Sequence, residues 1–283
     1  MKKKIQTVHT LLDALPFIKE FRDQIFVIKY GGSAQIDQKL KEKFAQDILL
    51  MYLVGIRPVI VHGGGKKITS TLNRLNISTE FIDGQRVTTP EVMEIVEMVL
   101  SGDINKEIVS LLNSYGAKAI GISGKDAHFI KAKPKDFKKF GYTGVIESID
   151  PAVVLNLLNE KFVPVIAPIA ASSEISHPGF NINADLAASK IAFALNAKKV
   201  IFLTDTPGVL DDDGNLLSTL DKKEIKKLKD KKIITGGMIP KVDACLEAVE
   251  AGVEKAHIID GRIEHSILLE IFTSSGIGTQ IVS

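Results

Sequence analysis

The chain predicts an α/β protein built on one open, mainly parallel sheet with helices on both faces, and three observations predict it. Short apolar runs recur along the 283 residues, stretches with helical periodicity separate them, and most runs close on glycine or turn residues. A strand covered on both faces has no polar side, so its residues run apolar without alternating.

The elements follow in order. MKKKIQTVHTLLDALPFIKEF opens the chain with a basic start, but Asp13, Pro16 and Lys19 interrupt its apolar stretch and no small-residue cleavage site follows, so no export signal is expected. Val8, Leu11, Leu12, Leu15 and Ile18 instead recur at helical spacing, which predicts an amphipathic helix over 1–22. Six strands are expected at IFVI (25–28), PVIVH (58–62), KAIGIS (118–123), FVPVIAP (162–168), KVIFLTD (199–205) and KAHIID (255–260). Helices are expected between them at 38–53, 66–75, 90–100, 105–112, 151–159, 183–195, 240–251 and 265–272. The lysine-rich segment 129–149 reads as an antiparallel hairpin at a sheet edge, FIKAKP and GVIESID flanking GYTG. A second lysine run, KKEIKKLKDKK (222–232), reads as an exposed helix with Ile225 and Leu228 turned inward. The polar, turn-rich ASSEISHPGFN (171–181) suggests a boundary between two lobes on one sheet, over 23–177 and 178–283.

Bulk composition narrows the classes. The chain is 45% apolar and 25% charged, and 36 basic against 34 acidic residues leave a net charge of +2. Nothing global therefore points to nucleic acid or to an anionic membrane. FVPVIAPIAA, the longest apolar run, is too short and proline-broken to cross a bilayer. A lone cysteine, Cys245, can form no intrachain disulfide, which fits a cytoplasmic setting.

The chemistry concentrates in glycine-bearing segments at strand–helix junctions: KYGGS (29–33), HGGGKK (62–67), GISGKDA (121–127) and TGGMIPK (235–241). Free loop amides and helix N-termini bind phosphate or carboxylate oxygens. Neither the G-x-x-x-x-G-K-[ST] loop nor a G-x-G-x-x-G dinucleotide turn is present, so phosphate chemistry here needs another arrangement. Lys29 ends a buried strand, where an ammonium is costly without an anion to answer it. Lys241 follows Pro240 at a helix start, where the dipole disfavours a cation unless an anionic ligand binds. Asp185 in NINADLAASK opens a helix, a position that also suits simple capping. Arg86 lies in DGQRVTT. His62, His177, His257 and His265 show no metal-ligand spacing among themselves or with Cys245, and no nucleophile triad can be assembled, so no protein-held metal is expected.

VIKYGGSA, VIVHGGGKKI, DGQRVTT, LSGDINKEIVSLL, NINADLAASKIAFAL, VIFLTDTPGVL and ITGGMIPKVDACLEAVEAG, in that order, resemble the N-acetyl-L-glutamate kinases of the amino-acid kinase superfamily. The resemblance runs from about residue 8 to the C-terminus. K-x-GG, GGM-x-x-K and LTD are shared widely in the superfamily; HGGG, then GQRVT, then N-x-NAD narrows it to acetylglutamate. It implies an open, mainly parallel eight-stranded sheet sandwiched by helices. The implied reaction moves the ATP γ-phosphoryl group to the side-chain carboxylate of N-acetyl-L-glutamate, the second step of arginine biosynthesis, with Mg²⁺ carried by the nucleotide. By that resemblance Lys29 and Lys241 flank the transferring group, Asp185 holds both lysines, and Gly32 and Gly64 donate N–H groups to it. Gly64, Gly65, Arg86 and Asn181 bind acetylglutamate, Arg86 through the α-carboxylate. Thr204, Asp205, Gly208, Val209 and Leu210 lie along the nucleotide, together with Gly236, Gly237 and Met238. Two departures are minor: Ala244-Cys245 stands where two alanines are usual, and Thr89 where an aspartate is frequent.

The N-terminal helix and DGRIEHSILLEIFTSSGIGTQI are similar to the arginine-inhibited branch of that family. In that branch N-terminal helices interlace dimers into a hexameric ring. The resemblance makes His265, Glu270 and Gly276 candidates for an L-arginine effector site, with Glu270 as guanidinium partner.

Overall fold

The computed structural model describes residues 1–174 and 177–283, without the side chains of Lys3, Thr7 and Thr10. Ile175 and Ser176, within the expected lobe boundary, lie outside the described residues. Among the described residues nine strands make the central sheet: β1 (Ile25–Tyr30), β2 (Arg57–His62), β3 (Ala119–Gly124), β4 (Val163–Ala170), β5 (Phe180–Asn181), β6 (Lys199–Thr204), β7 (Thr219–Leu220), β8 (Lys255–Asp260) and β9 (Thr279–Ile281). Eight of them run β7-β9-β8-β6-β1-β2-β4-β3, and β5 pairs with β4. All neighbours are parallel except β9 on β8 and β5 on β4. All six expected strands are present, and the short β5, β7 and β9 complete the sheet.

Alternate residues of the central strands serve two cores. Val27, Val59, Val61, Val200, Phe202 and Ile258 face one side, against α6 (Ala152–Asn159), α7 (Ala184–Ala194), α8 (Lys222–Asp230) and α9 (Met238–Glu250). Phe26, Ile28, Tyr30, Ile60, Ile201 and Leu203 face the other, against α2 (Gln38–Leu53), α3 (Gly65–Arg74), α4 (Pro90–Glu97), α5 (Asn105–Ser114) and α10 (Ser266–Ile271). This two-sided burial is why the strands read as continuous apolar runs.

One expectation is corrected. The break between the helices at 90–100 and 105–112 is absent, because Met98–Ile104 forms a π-helical segment joining α4 to α5. Ser101, Gly102 and Asp103 suggest a turn, yet Val99, Leu100 and Ile104 are buried and keep the segment on the core. The hairpin forms as expected, Ile130–Pro134 pairing antiparallel with Gly144–Ile149. Helix α1 (Lys2–Phe21) packs its end through Phe21 onto Phe26, but Val8 and Leu11 stay 54% and 67% exposed. Among the described residues no helix is long and apolar enough to cross a membrane.

Parallel strands place all their carboxyl ends on one edge. In register, Lys29 of β1 lies opposite Val61 of β2 and Phe202 of β6. The chain leaves β1 towards β2 on one side and returns to β6 on the other. Such a switch point leaves a crevice between diverging loops, where open α/β sheets bind ligands.

Candidate active site

The crevice holds a carboxylate between two ammonium groups. Asn183 caps α7, its side chain accepting from the N–H groups of Asp185 (2.9 Å) and Leu186 (3.1 Å), which fixes Asp185 in the first helical turn. Lys29 Nζ lies 2.9 Å from Asp185 Oδ1, and Lys241 Nζ donates to Asp185 Oδ2 at 3.4 Å. Burial alone pushes the Asp185 carboxyl up, but the two lysines outweigh burial and hold it below its ordinary value. The Lys29 chain folds back over Gly31, where a Cβ would meet Nζ at 2.9 Å.

A cleft of about 610 Å³ opens beside this triad. Lys29, Asp185, Gly63, Gly64, Gly65, Arg86 and Asn181 all line it. At Gly64 a Cβ would lie 2.5 Å from both Leu100 and Ile104, so the π-helical segment packs against the glycine loop. Arg86 is 6% exposed and donates to Thr79 Oγ1 (2.9 Å), Thr69 Oγ1 (2.8 Å) and the Gly65 carbonyl (3.1 Å), with the Phe81 ring 4.6 Å from its guanidinium. It forms no ion pair among the described residues, and burial lowers its pKa. A buried cation held by neutral groups is what a carboxylate ligand can neutralise. Asn181 donates to Thr88 Oγ1 at 3.1 Å.

The residues expected along a nucleotide sit outside this cleft, on the carboxyl ends of β6 and the start of α9. Thr204 is the buried last residue of β6, and Asp205 Oδ1 accepts from the Ser33 N–H at 2.6 Å. Gly32, with φ +69°, is required there, since a Cβ would lie 2.6 Å from that Asp205 oxygen. Gly208 (φ +149°) packs on Thr279, whose hydroxyl accepts from the Val209 N–H at 2.8 Å, and Leu210 is exposed. Gly236 and Gly237 form an exposed turn, with Gly237 capping α9 and Met238 beginning it.

The effector candidates divide. Gly276 abuts Glu270, and the Glu270 carboxylate accepts from Ile277 N (2.7 Å) and Gly278 N (3.1 Å) and pairs with His257 Nδ1 at 2.7 Å. Burial raises the Glu270 pKa, but the His257 contact and those amides prevail and hold it below the ordinary value. His265 lies elsewhere, 2.5 Å from Asp47 of α2. The buried lysine of β6, Lys199, stacks over Phe21 near Glu270 and was not singled out from the sequence. Gln35, which bonds the Tyr30 and Gly63 carbonyls, and Asn105, which bonds the Val165 carbonyl beside His62, were also missed: an uncharged amide in a helical segment gives no local signal of its partner.

Comparison with known proteins shows the family. The profile of the amino acid kinase family matches residues 24–260. The chain is 78% identical over 282 residues to an acetylglutamate kinase of Nitratiruptor sp., covering 100% of this chain and 99% of that one. It is 69% identical to the acetylglutamate kinase of Sulfurimonas denitrificans over 99% of both chains. Among solved structures it resembles the N-acetylglutamate synthase of Neisseria gonorrhoeae complexed with coenzyme A and N-acetyl-glutamate (TM-score 0.85, 25% identity, 98% of this chain). The chain spans only 63% of that synthase's length. Carbamate kinase from Giardia lamblia bound to AMP-PNP shares the fold, at TM-score 0.70 and 20% identity over 92% of this chain and 98% of that one.

Proposed function

The chain belongs to the amino acid kinase family, among its acetylglutamate kinases, and from that premise we infer that it transfers the γ-phosphoryl group of ATP to the side-chain carboxylate of N-acetyl-L-glutamate. The products are N-acetyl-L-glutamyl 5-phosphate and ADP, and the step is the second of arginine biosynthesis. The observation that carries the site assignment is the buried Arg86, without an ion pair among the described residues, in the same cleft as the Lys29–Asp185 pair that Lys241 joins.

The acceptor carboxylate has an ordinary pKa of ~4.3, so at neutral pH it is already an anion and needs no general base. The obstacle is bringing it to an anionic phosphate. Arg86 takes the α-carboxylate, Asn181, Gly64 and Gly65 hold the rest of acetylglutamate, and the side-chain carboxylate points at the triad. Its oxygen attacks the γ-phosphorus while the bond to the β-phosphate oxygen breaks. Lys29 and Lys241 neutralise charge on the transferring and leaving oxygens, and Gly32 and Gly64 donate N–H groups. Asp185 holds the two ammonium groups apart and in place. The adenosine side of ATP lies along Thr204, Asp205, Gly208, Val209, Leu210, Gly236, Gly237 and Met238. The donor set here is ammonium and amide, suited to phosphate oxygens; Mg²⁺ bound to ATP supplies further charge neutralisation.

The lobes over 23–177 and 178–283 then carry acetylglutamate and nucleotide, and 1–22 serves assembly. The exposed stripe of α1 supports a homo-oligomer, at least a dimer and in the ring form a hexamer. The solved synthase complexed with coenzyme A and L-arginine, at TM-score 0.82 and 25% identity over 97% of this chain and 65% of its own, supports L-arginine as feedback inhibitor here. A cytoplasmic location fits this biosynthetic role. The test is ADP release from MgATP with N-acetyl-L-glutamate beside glutamate, aspartate and N-acetyl-aminoadipate, with and without L-arginine. Turnover confined to acetylglutamate and slowed by arginine is expected; turnover only with another acid overturns the acceptor assignment.

A further inference from the structure

We propose that His62 is a positioning residue for phosphoryl transfer: its ring holds the Gly63 carbonyl and so aims the Gly64 N–H at the transferring group. This rests on the reading above, in which the Gly64 amide is a donor to that group. His62 is the last residue of β2 and fully buried. Its ring proton can be located from its neighbours. Asn105 Nδ2 donates to the Val165 carbonyl at 2.9 Å and lies 3.2 Å from His62 Nε2. Lys106 Nζ donates to Asn105 Oδ1 at 3.0 Å, which fixes the amide's orientation, because the flipped amide would set NH₂ against an ammonium. An amide NH₂ only donates, so Nε2 carries the lone pair and Nδ1 carries the proton. Nδ1 lies 3.0 Å from the Gly63 carbonyl oxygen and donates to it.

That carbonyl shares one planar trans peptide with the Gly64 N–H, and the two point in opposite directions. Whatever holds the oxygen therefore aims the amide. Gln35 Nε2 adds a second donor to Gly63 O (3.3 Å) and also reaches Tyr30 O (3.1 Å), which in turn accepts from Gly63 N at 2.8 Å. Three consecutive glycines would otherwise rotate freely, and a turned peptide would present a carbonyl oxygen to a phosphate. The Gly64 N–H donates to no group among the described residues, and Gly64 lines the cleft. Burial pulls the His62 pKa down to about 4, so the neutral clamp persists across the physiological range.

Two variants of similar size separate the ring's two edges. His62→Asn sets its amide near the Nδ1 position and keeps a donor for Gly63 O, whereas His62→Gln reaches towards Asn105 and abandons that carbonyl. Steady-state kinetics with MgATP and acetylglutamate are expected to show kcat falling ~100-fold in His62→Gln, the cost of a misplacement of about 1 Å. KM for acetylglutamate should move far less, since Arg86 and Asn181 remain. His62→Asn should recover about tenfold of the loss. Equal kcat losses in the two variants, or a wild-type kcat in His62→Gln, overturns the clamp while leaving the acceptor assignment intact. A wild type inert towards acetylglutamate overturns both. Should either variant fail to fold, nitrogen NMR of the wild-type imidazoles decides: a buried histidine protonated at Nδ1 alone is expected, and protonation at Nε2 refutes the proposal.

Discussion

Replacing Asp185 with asparagine removes one charge and almost no volume, and leaves Lys29 and Lys241 facing each other with no negative charge between them. Their ammonium groups now sit 2.9 and 3.4 Å from the same carboxylate, with only 11% and 23% of their side-chain surface exposed. Removing one partner of a buried ion pair costs about 3–5 kcal/mol, and the exposure left to Lys241 puts this case near ~3 kcal/mol. For a chain of this length that corresponds to a fall in Tm of roughly 5 °C. The variant's remedy is an anion, so MgATP should raise its Tm more than it raises the wild type's. Thermal melts with and without nucleotide measure both quantities, and the same samples should show kcat lower by ~100-fold as the lysines shift. A variant that melts within about 2 °C of wild type, with an equal gain from MgATP, refutes the view that Asp185 holds the lysine pair.

Lys29→Ala and Lys241→Ala should each lower kcat by ~10²–10³ with little change in KM, as for lost donors to developing charge; an unchanged kcat removes that lysine from the reaction. Arg86→Lys exchanges a planar fork for a point charge and should raise KM for acetylglutamate about tenfold or more at near-constant kcat. Deleting residues 1–16 removes the exposed stripe of α1 but keeps Phe21 in place, and light scattering should show the proposed ring falling to dimers, with loss of the proposed arginine inhibition; unchanged mass counts against the helix as an assembly element. Two buried groups give opposite pH trends. Burial raises the Asp47 pKa from 3.8 to about 6, so its contribution to stability is complete below 3.8 and lost as pH rises through 6. Burial lowers the His62 pKa from 6.5 to about 4, so its contribution is complete above 6.5 and lost as pH falls through 4. At ~1.4 kcal/mol per pH unit each is worth about 3 kcal/mol. Urea unfolding between pH 4 and 7 should therefore tilt towards neutral pH in Asp47→Asn and towards acid in His62→Asn, and parallel profiles would contradict both assignments.

The sheet was legible because burial on both faces writes itself into consecutive residues, as in IFVI and KVIFLTD. β5, β7 and β9 were not, since two or three residues hold no period. Lys29 could be singled out physically, an ammonium at the end of a buried strand being costly. Its meeting with Asp185 and Lys241 could not, because 156 and 212 positions separate them from it and only the resemblance brought the three together. Arg86 alone in a loop gave no reason to expect Thr69 and Thr79 as its neutral partners. The link from His62 to Asn105 was hidden twice over: Asn105 follows a segment that read as a turn, and only its π-helical path carries the amide to the end of β2.

The electrostatics of the site explain why it contains a buried aspartate and yet needs no base. The chain as a whole is nearly balanced at +2, but Lys29, Lys41, Lys66, Lys67 and Arg86 line the cleft against the carboxylates of Asp185 and Glu107, and Lys241 pairs with Asp185 beside it. Two reactant anions brought to 4 Å repel by about 4 kcal/mol per pair of unit charges in an environment of dielectric near 20. On the proposed assignment Arg86 and the lysine pair neutralise each reactant separately before the two meet. Asp185 cannot also take a proton, since the lysines that it holds keep its pKa below the ordinary carboxylate range. Its charge is committed to spacing the two ammonium groups. A proton acceptor would serve nothing here, because the nucleophile arrives already deprotonated.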